Sequence, residues 1–389
     1  MKLRRRRSGH GQDPLAGALE GIAPPARRPG LLWLVLRSLG PVFLSVVLGL
    51  GLAAIFARLL GASPAVFFET LFAGTLGSAY GVSQVVFRAT PLIFTGLAVA
   101  LAFQARLFNI GAEGQMAIGG LAMAFVGASV GALPFPLAMF VALAGGALAG
   151  GVWGAIPGVL KARTGSHEVI VTIMLNFIAF ALVNYLLSRR LALPETVRTA
   201  EIAASAQLPR LSEWSDALRG SPLNAGFLLA VLAAFALQAW SARTPAGFSL
   251  QILGEGPMQA RYAGIPIARF TVLAMTLSGA LAGLAACNFV LGYKHYFEEG
   301  FTAGAGFQGI AVALFARNRP LWVVPSALFF GLLSYGGLVA NGIVPRELLD
   351  VVQAVILISF IVLDRALRRI TRRAFEPAPI QVTPQAEPA

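Results

Sequence analysis

Apolar runs of close to one membrane width, divided by short polar connectors, recur along the chain near 41–60, 87–107, 115–132, 137–160, 169–187, 224–242, 270–292, 306–316, 321–340 and 349–367. Most approach the ~20 residues a helix needs to cross hydrocarbon. The pattern predicts an all-α polytopic membrane protein of about ten transmembrane helices. Two places break it. After the second run comes "FNIGAEGQ", polar and glycine-rich, and after the seventh comes "EEGFTAGAGFQGIAVALFA", whose apolar part is too short to cross as a straight helix. Non-helical backbone at membrane depth survives only when protein or a cavity surrounds it, so both read as interrupted helices beside a pathway. They lie on runs of opposite direction, as an inverted repeat would place them.

Composition agrees: of the 389 residues 57 % are hydrophobic and only 12 % charged. The net charge of +13 gathers in the ends and connections, in "KLRRRR" and "RALRRITRR" among others, which is positive-inside topology rather than a nucleic-acid surface. With an even number of passes both termini are expected on the cytoplasmic side of an inner membrane. Residues 1–38 and 371–389 read as disordered cytoplasmic tails flanking a permease domain at 39–370, with an external loop at 188–223 and a cytoplasmic loop at 243–269. The external loop carries five arginines against four acids, but long loops cross largely regardless of charge.

Several chemistries drop out. A single cysteine, Cys287, excludes an internal disulfide and a cysteine-based cluster. None of Lys2, Lys161 and Lys294 is followed by Ser or Thr, so there is no GxxxxGK[ST] phosphate loop. "HEVIV" opens like a zinc-protease helix but has Val171 where a second histidine would stand. No metal, cofactor or catalytic site is expected. A proton- or sodium-coupled carrier, which works without an ATPase, is the alternative from a different class; ionisable residues within the spans are few, with Glu113 and Arg88 the candidates near a membrane boundary.

The connection at 243–269 contains "GEGPMQARYAGIPIARF". Pro257 can open a helix and Gly264 with Pro266 can end it, leaving a short helix with Met258, Arg261 and Tyr262 on one face. Such a knob can grip another subunit or simply face water.

"RATPLIFTGLAVALAFQARLFNIGAEGQMAIGG", "GSHEVIVTIMLNFIA", "QARYAGIPIARF", "GFQGIAVALF" and "ELLDVVQAVILI", in order from about 87 to 363, resemble the membrane-spanning permease of bacterial ABC importers for nucleosides, within the broader ribose-type and branched-chain amino acid permeases. "FNIGAEGQ" with "SHEVIVTIMLN" resembles the longer of two unlike permease subunits. The resemblance implies alternating access driven by separate ATP-binding subunits, a second, shorter permease and an external solute-binding lipoprotein, with no enzyme chemistry in this chain. The solute could equally be a pentose or another small polar metabolite.

By the same resemblance, Gly254 to Ile265 is similar to a coupling helix that docks on the ATP-binding subunit, through Gly254, Pro257, Ala260, Arg261, Tyr262, Ala263, Gly264 and Ile265. The chain departs from the family pattern at Gly256, usually Asn, at Gln259, usually Ala, and at Gln308, often Asp. The candidate substrate pathway comprises Asn109, Glu113, Gln115, Asn176, Phe307 and Gln308. Asn109, Glu113 and Gln115 offer hydrogen bonds to a polar solute, or else Glu113 pairs with Arg106 and Asn109 caps the following helix. Asn176 is solute contact or helix glue, Phe307 a stacking face for a base or a packed aromatic. Ser166 is expected to cap the fifth span, with Glu168 in its first turn near the positive helix end.

Overall fold

The computed structural model describes the backbone over residues 31–213 and 216–375, and the side chains over 39–212 and 216–370. Of the tails read at 1–38 and 371–389, residues 1–30 and 376–389 lie outside the described residues, whereas 31–38 and 371–375 are helical. Helix α1, Leu31–Leu59, begins eight residues before the predicted domain start, because the apolar "LLWLVL" joins the run across Gly40 and Pro41, which stay inside the helix, and α14, Arg346–Phe375, runs five residues past the predicted domain end through the basic "TRRAF". Two compact units result, one of residues 1–45 with 359–389 and one of residues 46–358. In the smaller, Arg368 Nε donates to Asp364 Oδ2 one turn earlier, at 2.7 Å.

The larger unit continues through α2 (Pro64–Leu76), α3 (Ala79–Gln104), α4 (Ala112–Ser129), α5 (Leu137–Thr164), α6 (Glu168–Leu186) and α7 (Gly226–Arg243). Then come α8 (Pro245–Glu255), α9 (Pro257–Tyr262), α10 (Ile267–Leu284), α11 (Cys287–Val290), α12 (Ala305–Phe315) and α13 (Pro320–Val339). Among the described residues 7 helical stretches are long and apolar enough to cross a membrane: Leu39–Leu59, Ala79–Gln104, Leu137–Thr164, Glu168–Leu191, Gly226–Arg243, Ile267–Val290 and Pro320–Val339. The other predicted runs correspond to α4, α12 and the apolar part of α14. Helix α2 has no counterpart in the predicted pattern, and α3 starts eight residues earlier than predicted because Ser78 Oγ caps it by accepting from Gly81 N at 3.0 Å.

Helix α3 is the innermost, with 78 % of its most apolar stretch buried. Around it the glycine-rich spans pack backbone to backbone: a Cβ on Gly150 or Gly154 of α5 would strike the α10 backbone at Gly279 and Met275, and one on Gly279 would strike the Gly150 carbonyl. Association within lipid draws on such close approach, since apolar side chains gain little by leaving lipid tails. One end of the unit carries the 188–223 loop, pinned to the segment after α11 through Thr199 N to the Phe297 carbonyl at 2.9 Å and Ile202 N to the His295 carbonyl at 2.8 Å. The other end carries α8 and α9.

Candidate functional site: a polar node where two helices begin

Neither α4 nor α12 starts at an end of the bundle. Ser278 Oγ of α10 donates to the Ala98 carbonyl of α3 at 2.6 Å and accepts from Asn109 Nδ2 at 2.7 Å. Ala98 lies six residues before the end of α3, which puts Asn109 roughly 9 Å inside that end at 1.5 Å per residue. The 105–111 linker therefore turns back into the bundle before α4 begins. Helix α12 starts at the same depth, with Thr95 Oγ1 of α3 donating to the Ala305 carbonyl at 3.0 Å. From there α4 climbs toward the loop end, where Gly127 meets Ile202, while α12 descends into the turn that opens α13. The two interrupted helices leave one point in opposite directions.

Glu113 occupies that point. It is 3 % exposed, and its Oε1 accepts from Gly304 N at 2.9 Å while Oε2 accepts from Gly306 N at 2.5 Å. Its carboxylate thus closes the first turn of α12 and lies in the first turn of α4, so the positive ends of two helices meet it. Gly306 permits the approach, because a Cβ there would overlap the backbone of Glu113. Gly304, at φ +81°, makes the turn into the helix. No ion pair joins Glu113 to Arg106 among the described residues; the backbone amides take that place.

Asn109 and Gln115 exchange both amide bonds, Nδ2 to Oε1 at 2.8 Å and Nε2 to Oδ1 at 3.1 Å, and Asn109 Oδ1 also accepts from Gly111 N at 3.0 Å. Asn109 so organises the turn into α4 from two residues ahead of it. Asn176 of α6 accepts from Gly114 N at 2.9 Å and donates to the Ile110 carbonyl at 3.0 Å, holding helices together as an amide inside a bundle must. Ser166 does not cap α6: the helix starts at Glu168 with His167 in the cap position, so Ser166 stands one residue too early and its hydroxyl lies 2.5 Å from Thr164 Oγ1, while Glu168 of the first turn pairs with Lys161 Nζ at 2.6 Å.

Four of the six pathway candidates, Asn109, Glu113, Gln115 and Asn176, thus form one node whose polar atoms bond to protein. Phe307 and Gln308, one turn into α12, do not join it: Phe307 is 46 % exposed and Gln308 half-buried, with no side-chain hydrogen bond among the described residues. Ser278 is the member that sequence reading missed. A serine in "TLSGALAG" looks like one more small packing residue, and only its two partners distinguish it.

Residues 81–361 match the family described as the permease component of branched-chain amino acid transport systems. The chain belongs to that family. The permease is 38 % identical over 334 residues to the guanosine ABC transporter permease protein NupP of Bacillus subtilis, a match covering 84 % of this chain and 93 % of that one. It is 33 % identical to the nucleoside ABC transporter permease protein NupB of Lactococcus lactis over 81 % of this chain and 88 % of that one. To the glucose ABC transporter permease protein TsgB13 of Haloferax volcanii it is 32 % identical, over 83 % and 87 %. As a permease component it is a multi-pass membrane transport subunit, not an enzyme.

In this permease the second candidate group forms an elbow. Helix α8 is capped by Thr244 Oγ1, which accepts from Gly247 N at 3.1 Å, and Gly256 turns the chain into α9, where Pro257 takes the first helical position. Ala260 is fully buried and its carbonyl accepts from Ile265 N at 2.9 Å across the positive-φ turn at Gly264. On the opposite face Met258 and Tyr262 stand out, the latter 86 % exposed, with Arg261 and Ala263 also exposed. Gly254 lies directly on the Gln104 carbonyl at the end of α3. The two departures from the family pattern touch: Gln259 Oε1 fills the space beside Gly256 that a side chain there would take.

Proposed function

We propose that this permease is the membrane-spanning subunit of an ATP-driven importer that takes up nucleosides delivered by an external binding protein. The observation that carries the solute class is the 38 % identity to a guanosine permease over 93 % of that protein's length. The end bearing α8 and α9 is assigned to the cytoplasm of the inner membrane, with both termini, because Arg106, Lys161, Arg163, Arg243, Arg261 and Arg269 gather in its connections. The 188–223 loop then faces outward, toward the binding protein.

An ATP-binding subunit docks on the exposed face of α9, through Arg261, Tyr262 and Ala263, while Ala260, Gly264 and Ile265 fix the helix to the bundle. Motion of Pro257 to Ile265 reaches the end of α3 through Gly254, and from there the 105–111 linker and the node. Asn109, Glu113, Gln115 and Asn176 act as the joint on which α4 and α12 move, with Phe307 and Gln308 meeting the solute. A second, shorter permease completes the pore.

Uptake of labelled guanosine and uridine, against ribose and glucose, in a nucleoside-transport-deficient bacterium expressing the complete importer tests this. Nucleoside uptake that vanishes when the ATPase is disabled is the expected result. Sugar uptake alone would replace the solute, a reading that the likeness to a glucose permease favours, and nucleoside uptake indifferent to the ATPase would replace the mechanism.

A further inference from the structure

One face of α3 carries a polar stripe that the node does not use. Tyr80, Gln84 and Arg88 follow one another at i, i+4 and i+8, and Thr95 stands two turns below on the same face. Gln84 Nε2 donates to the Tyr80 hydroxyl at 2.8 Å. Thr95 meets α12 at Ala305, two and three residues before Phe307 and Gln308. The stripe therefore leads from the outward end of α3 down to the two pathway candidates that remain unbonded.

Arg88 stands out on it. It lies within the span, half-buried, with its Nε enclosed and unbonded and its guanidinium 5.6 Å from the centroid of the Tyr335 ring of α13. The charged and phenolic groups acting on it are Arg346 and Tyr335, and no carboxylate pairs with it among the described residues. An arginine at membrane depth is costly and is normally paired, so one left with donors to offer marks a site awaiting an acceptor. Guanidinium donates only, as a planar fork, and an aromatic face holds its plane.

We propose that Arg88 is a specificity-determining solute contact that grips nucleobases presenting two adjacent acceptors on one edge, N7 and O6 of a 6-oxopurine or N3 and O2 of cytosine. Adenine offers N7 beside an amino donor, and uracil separates its two carbonyls by an N–H, so neither accepts both prongs. The inference rests on the nucleoside reading above and adds a selectivity to it: guanosine and cytidine over adenosine and uridine at the permease step.

The test uses the complete importer in transport-deficient cells, with each nucleoside supplied at saturation so that the external binding protein is fully loaded. In the wild type, guanosine is expected to enter about tenfold or more faster than 7-deazaguanosine, which lacks the N7 acceptor, and cytidine faster than uridine. Arg88→Gln and Arg88→Lys should bring both ratios toward one while uridine entry persists. Ratios unchanged in the variants overturn the proposal, as does an equal fall for every nucleoside with the chain present in the membrane, which would give Arg88 to a lipid phosphate or a partner subunit. If the variants do not reach the membrane, equal wild-type rates for guanosine and 7-deazaguanosine still overturn it. Uptake of uridine alone sinks this proposal and leaves the nucleoside reading standing; uptake of no nucleoside sinks both.

Discussion

The node at Glu113 and the elbow at α9 use similar residues to opposite ends. Both are short, glycine-bearing interruptions with a few polar side chains. In the node every polar group is turned inward: Asn109, Glu113, Gln115 and Asn176 are each 3 % exposed or less and bonded to protein. In the elbow one buried alanine, Ala260, anchors a helix whose other face is open, with no hydrogen bond to the Tyr262 side chain among the described residues. Polar residues in a bundle either close on one another and specify a geometry, or stay open and wait for a partner. Which of these happens depends on what the fold places opposite them.

The sharpest way to break this contrast is Gly306→Val. Its side chain must displace the Glu113 backbone, so folded, monodisperse protein should be largely lost from detergent extracts; a normal yield would show that the two helix starts do not meet so closely. Next is Glu113→Gln. The amide gives up the charge and turns a donor toward a backbone N–H, at a cost of about 1.5–3 kcal/mol, read as a lower Tm of the purified protein. Transport that keeps its rate and its concentration dependence would remove any direct role of that charge toward solute. Tyr262→Ala sharpens the other side: stability should stay within about 0.5 kcal/mol, while ATP-dependent uptake falls roughly tenfold through loss of an exposed aromatic contact. An unchanged uptake rate would move the docking face away from α9. Smallest is Gln259→Ala, expected to leave Tm unaltered and to change uptake less than twofold, since Ala stands there in the family pattern; a large effect would mean that the Gln259 amide itself holds Gly256.

Much of the site was legible one residue at a time. "FNIGAEGQ" and "GFTAGAGFQG" marked the breaks, since a glycine-rich polar block between apolar runs has no other way to sit in lipid. Pro257, Gly264 and Pro266 delimited α9 within a residue or two. Partners separated by long stretches of chain were not legible: Glu113 with Gly304 and Gly306, Asn176 with Gly114, and Ser278 with Asn109 and Ala98. Nor was α2, whose run of apolar residues at 64–76 is shorter than a membrane crossing and holds Glu69.

What the sequence by itself determined is the set of local facts: helices where apolar runs are long, breaks where glycine and polar residues interrupt them, charge at the ends and connections, and a family whose motifs stand in order. Only the tertiary structure decided that two breaks nearly two hundred residues apart are one place. The reason is physical. Chain propensity acts over a few neighbours, whereas a buried carboxylate takes whatever donors the packing brings within about 3 Å, and here those are the first amides of a helix at the other end of the chain.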